Sequence, residues 1–98
     1  MARKKIIWTD AARSELYQIL DFFIQRNNST SYSAKLFKEI QHTLKVLSRY
    51  PFLGKPTDIP NVRMIVLKEY QIYYIIENGN LVVLMIWDCR QNPEKPEI

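Results

Sequence analysis

The spacing of apolar residues changes character along this chain, and each change marks an element. Residues 5–9 (KIIWT) are short, β-branched and aromatic, and predict a strand. Ala12, Leu16, Ile19, Leu20 and Phe23 then recur every three to four positions, so one stripe of a helix ending near Arg26 is apolar. Thr9 is placed to cap that helix, with Asp10 and Glu15 toward its positive end. Residues 27–31 (NNSTS) are a polar connection short enough to force an antiparallel neighbour. A second stripe, Ala34, Phe37, Ile40, Leu44 and Leu47, predicts another helix, with Lys35, Lys38, Glu39, Gln41 and Lys45 outside. Tyr50-Pro51 ends it, because a residue before proline is pushed out of the α region. Residues 52–61 (FLGKPTDIPN), punctuated by Gly54, Pro56 and Pro60, read as a loop without regular structure.

The period then shortens to two. Residues 62–67 (VRMIVL) predict a strand, Lys68-Glu69 a link, and residues 70–88 a long hairpin around Asn78-Gly79, a dipeptide suited to the two positive-φ positions of a type I′ turn. With Glu77 opposite Asn80, a regular ladder sets Ile76 against Leu81, Tyr74 against Val83, Ile72 against Met85 and Tyr70 against Trp87 on one side. Gln71, Tyr73, Ile75, Val82, Leu84, Ile86 and Asp88 would share the other side, apolar in its middle. Helices are expected to cover one face, and the fold or a partner most of the other. The predicted order is β-α-α-β-β-β, an α+β fold with a helical hairpin on an antiparallel-rich sheet, in one domain over residues 1–98 with a fraying polar tail at 91–98.

Composition narrows the chemistry. Ninety-eight residues, 47% of them apolar, support one core. A formal charge of +4 permits nucleic-acid or acidic-protein partners without requiring either. The single cysteine, Cys89, excludes an internal disulfide and reads as a small strand-end residue. His42 is the only histidine and sits on the second predicted helix without a partner, so neither a nucleophilic triad nor a zinc cluster is expected. No phosphate-cradling glycine loop is present, and no cofactor or metal is expected. No apolar stretch is long enough for a signal peptide or a membrane span, so a cytoplasmic protein is expected. Of Lys55, Arg63, Lys68 and Arg90, three lie at predicted strand or loop edges near the sheet. Arginines there are suited to gripping a phosphodiester, or Arg63 pairs with Asp88 or another acid across the sheet. Tyr70, Tyr73, Tyr74 and Trp87 are read as core before base-stacking residues.

The pattern Trp8-Thr9-x-x-Ala12, Leu47-x-x-x-Pro51-x-x-Gly54, Val62-Arg63, Tyr70-x-Ile72-x-Tyr74 and Asp88-x-Arg90-x-x-Pro93 resembles the RelE/ParE superfamily of bacterial toxins. The resemblance spans roughly residues 5–93. It implies the toxin half of a type II toxin–antitoxin, or plasmid stabilisation, module, which arrests growth and is neutralised by a cognate antitoxin that wraps it. Operator DNA would be reached only through that antitoxin. ParE-like members poison DNA gyrase; RelE-like members cut mRNA on the ribosome without a metal. By position Lys55, Arg63 and Arg90 match the basic residues that would bind phosphate in a nuclease. Residues 91–98 hold no tyrosine or histidine to serve as acid or base, so the ParE-like mode is preferred. The ribonuclease is the alternative, and an inactive homologue that only pairs with its antitoxin is a third.

Overall fold

The computed structural model describes residues 4–89. The elements run β1 (Lys5–Trp8), α1 (Asp10–Asn27), α2 (Ser31–Arg49), β2 (Lys55–Pro56), β3 (Arg63–Leu67), β4 (Tyr70–Glu77) and β5 (Asn80–Asp88). The strands form one sheet in the order β1-β5-β4-β3-β2; β1 runs parallel to β5 and the rest is antiparallel. The α+β architecture and the order of the main elements follow the sequence expectation. Pro51 stops α2 as anticipated, with Tyr50 outside helical conformation at φ −128° and ψ 72°. No helix among the described residues is long and apolar enough to cross a membrane.

Both helices lie on one face of the sheet. Ala12, Leu16 and Phe23 of α1 and Leu36, Ile40, Leu44 and Leu47 of α2 pack on Tyr70, Ile72, Tyr74, Leu81, Val83 and Ile86. The buried stripe of α2 corrects the expectation: it runs through Ser33 and Leu36, while Ala34 is exposed and Phe37 half-buried. Ser33 is tolerated inside because its hydroxyl donates to the Leu20 carbonyl at 2.6 Å, which satisfies a polar group where the two helices meet. On the other face a smaller cluster, Val62, Met64 and Tyr73, is flanked by half-buried Ile75, Leu84, Met85 and Trp87.

Asn78 and Gly79 have φ of 51° and 75°, so the hairpin turns where expected, with both central residues in the positive region. The predicted register holds for Glu77–Asn80, Ile76–Leu81 and Tyr74–Val83 and then slips. Tyr73 faces Met85, Ile72 faces Ile86, Gln71 faces Trp87 and Tyr70 faces Asp88, which leaves Leu84 as an extra residue on β5. This bulge overturns the pairs Ile72–Met85 and Tyr70–Trp87. It also transfers Ile86 to the helix-covered core and sends Met85 to the open face, since a one-residue slip exchanges faces.

The loop after α2 is more regular than expected. Lys55 and Pro56 pair with Met64 and Arg63. Beyond them the Thr57 hydroxyl donates to the Val62 carbonyl at 3.0 Å and accepts from Ile59 N at 3.2 Å, closing a tight turn.

Candidate functional site

Four residues scattered in sequence meet beside the middle of β4. The Tyr74 hydroxyl donates to the Pro51 carbonyl at 2.6 Å and accepts from Gly54 N at 3.0 Å. Arg63, directly across the ladder from Tyr74, donates from Nη1 to the Gly54 carbonyl at 2.7 Å. Its guanidinium also lies over the Phe52 ring, 4.8 Å from the centroid. Gly54 is required here by space: a Cβ would overlap the Tyr74 hydroxyl and ring. Burial pushes the Tyr74 pKa up, and the Gly54 bond and the Arg63 charge offset only part of that, so the phenol stays neutral. The result is a fixed loop with Arg63 held against it. Beside it opens a cleft of about 310 Å³ bordered by Phe52, Thr57, Asn61, Arg63 and Ile76.

A second polar arrangement joins α1 to β5. The parallel partner β1 ends opposite Val83, so beyond that point the outer edge of β5 has no strand beside it among the described residues. Side chains of α1 and its cap take over. Thr9 Oγ1 lies 3.0 Å from the Val83 carbonyl and 3.2 Å from that of Leu84, and it accepts from Ala12 N at 3.1 Å. Two residues further on, a Glu15 carboxylate oxygen accepts from Ile86 N at 3.1 Å. Glu15 therefore serves the sheet edge more than the helix start assigned to it by sequence position. Burial raises its pKa and the bond from Ile86 lowers it by less. Glu15, Phe22, Tyr70, Trp87 and Asp88 border a cleft of about 300 Å³.

Residues 6–93 match the family model described as the ParE toxin of the type II toxin–antitoxin system parDE. The chain belongs to the ParE toxin family. Its fold is also that of solved toxin–antitoxin structures. A chain of the chromosomal ParDE system from P. aeruginosa superposes with a TM-score of 0.73 at 20% identity, covering 86% of this chain and 94% of that one. A chain of the RelBE2 toxin–antitoxin complex from Mycobacterium tuberculosis superposes with a TM-score of 0.62 at 19% identity, covering 87% and 96%. No curated protein matches the sequence.

For a ParE toxin the arrangement of basic residues is informative. Arg63 has no carboxylate partner among the described residues. The alternative pairing with Asp88 does not form, because Arg63 lies opposite Tyr74 in the middle of β4 whereas Asp88 lies opposite Tyr70 at its start. Lys55 is exposed and pairs in the ladder with Met64, which sets it on the face opposite to Arg63. The structure thus does not bring Lys55 and Arg63 together. Arg90 lies outside the described residues. Lys68 sits elsewhere, bridged to Glu39 at 3.0 Å. His42 is exposed on α2. Tyr70, Tyr73 and Tyr74 are buried, in keeping with their reading as core. The sequence left Arg63 between a phosphate contact and an acidic partner, and did not reveal the support that Pro51, Gly54 and Tyr74 give it. The signal was present in the Pro51-x-x-Gly54 spacing, whose two backbone groups flank one phenol.

Proposed function

We propose that this ParE toxin arrests growth by inhibiting DNA gyrase and is held inactive by a cognate antitoxin. One observation carries the preference for gyrase over RNA cleavage: the hydroxyl beside Arg63 belongs to Tyr74, which is fully buried and engaged both as donor and as acceptor. A phenol in that position cannot take a proton from a 2′-hydroxyl or give one to a leaving oxygen. With Lys55 on the opposite face, it and Arg63 do not make a pair of cations about one phosphate. The reading has the toxin act in the cytoplasm and reach operator DNA only through the antitoxin, whose presence the toxin–antitoxin relatives support.

A second reading, a ribosome-dependent mRNA endoribonuclease, is favoured by Arg63 itself, a cation at a cleft without a carboxylate partner among the described residues. Expression of the chain alone in a bacterial host separates the two. Gyrase-linked DNA breaks with intact mRNA support the proposal. Codon-spaced mRNA cuts that disappear in Arg63→Ala replace it with the ribonuclease. Unimpaired growth with folded protein leaves an inactive homologue.

A further inference from the structure

An exposed apolar surface lies where α2 ends. Tyr50, Phe52 and Leu53 are 59%, 75% and 59% exposed, within four consecutive residues. They border a groove of about 520 Å³ with Ile76 in its wall and Lys4 and Arg49 at its rim. The chain there is not loose. Lys4 N donates to the Ser48 carbonyl at 3.2 Å, and Leu53 N donates to the Tyr50 carbonyl at 3.1 Å. The Tyr74 hydroxyl holds Pro51 and Gly54 on either side of Phe52 and Leu53. Three large side chains are thus kept in water by a braced backbone, in a chain whose other large apolar residues mostly find cover. Neither Lys4 nor Arg49 has a carboxylate partner among the described residues.

We propose that this groove receives an apolar, acidic segment of the antitoxin, a stretch that inserts two or three large apolar side chains while its Asp or Glu residues meet Lys4 and Arg49. The assignment rests on the toxin–antitoxin reading above and names the place and chemistry of that contact. Charge decides the occupant. A second copy of this chain joined through the same patch would bring Lys4 and Arg49 of both copies together without acids to neutralise them, and like charges across an interface oppose association. Single-stranded nucleic acid favours aromatic faces along a track of cations. Here two cations border a groove in which Leu53, Pro51 and Ile76 join the two aromatics, which suits aliphatic side chains better than bases. A braced apolar patch with a charged rim is also the form that concentrates binding energy at a protein interface.

The test uses the full-length toxin and the antitoxin encoded beside it, with affinities measured by calorimetry at two salt concentrations. Leu53→Asp is expected to weaken binding at least tenfold, and Arg49→Glu to weaken it severalfold and reduce its salt dependence. Val66→Asp, an exposed apolar residue on β3 away from the groove, is expected to bind as the parent does. All three positions are at the surface, and unchanged circular dichroism and unfolding midpoints verify that the variants fold. An antitoxin that binds the parent, Leu53→Asp and Arg49→Glu alike overturns the groove and leaves the toxin–antitoxin reading intact. An antitoxin that fails to bind the parent removes both. Two further measurements oppose the proposal directly: binding of a labelled oligouridine that Leu53→Asp abolishes, or a parent dimer in sedimentation that Leu53→Asp splits.

Discussion

Gly54 and Tyr74 fit together only because Gly54 has no side chain: a Cβ there would lie 2.7 Å from Tyr74 Cε1 and 2.9 Å from its Cζ. The Tyr74 ring is anchored in the core and cannot withdraw, so the loop must move instead. Gly54→Ala is expected to cost about 1–3 kcal/mol through overpacking. Tyr74→Phe leaves the Gly54 N–H and Pro51 carbonyl without their partner and is expected to cost about 1–3 kcal/mol. The double variant should lose less than the sum, because both changes release the same loop. Urea unfolding midpoints measure all three.

Arg63 is tied to that loop by a charge-assisted bond to the Gly54 carbonyl and by its stacking on Phe52. Arg63→Ala should lower stability by about 1–2 kcal/mol. Under the gyrase mode it should leave growth arrest in place when the variant is expressed at a temperature where it remains folded. Growth curves paired with unfolding midpoints check both halves of this expectation.

Glu15 gives stability a pH dependence of definite sign. Its pKa is raised by burial, so the folded chain holds the proton more tightly than the unfolded chain. Its contribution therefore falls as pH rises from the ordinary glutamate value, about 4.3, through the raised folded value. Glu15→Gln retains an oxygen to accept from Ile86 N and buries no charge. It should be at least as stable as the parent at pH 7, with any advantage shrinking as the pH falls from the raised folded value toward the ordinary one. Glu15→Ala should be less stable by about 1 kcal/mol, since the Ile86 N–H loses its acceptor. Denaturant titrations across this pH range test the two variants side by side.

Thr9 caps α1 and closes the edge of β5 with one hydroxyl. Thr9→Ala should cost about 1–2 kcal/mol, and Thr9→Ser much less, since serine caps equally well. In a domain of this size each kcal/mol lowers the melting temperature by about 4–8 °C, which thermal denaturation resolves.

The elements that could be read from the sequence are those in which local chemistry and periodicity agree. Asn78-Gly79 declares its turn, Thr9 its cap, and Pro51 the end of α2. The bulge at Leu84 was not legible, because residues 84–87 (LMIW) are all apolar and no alternation marks the extra residue. The buried stripe of α2 was misread at Ser33 and Leu36, since a serine becomes a core residue only once a carbonyl such as that of Leu20 is near. Lys55 and Arg63 were visible as cations, but their opposite faces follow from a two-residue strand, β2, too short to show a period. Arg63 found a backbone carbonyl and an aromatic ring where an acid had been considered, and such partners leave no trace in composition.

The central claim meets its most direct test with purified components. Increasing amounts of the folded toxin are added to DNA gyrase and relaxed plasmid, and supercoiling and trapped double-strand breaks are read on the same gel, with and without the antitoxin. The account predicts loss of supercoiling or accumulation of breaks, reversed by the antitoxin. Full gyrase activity at saturating toxin, together with mRNA cleavage when the same preparation is added to translating ribosomes, would contradict it.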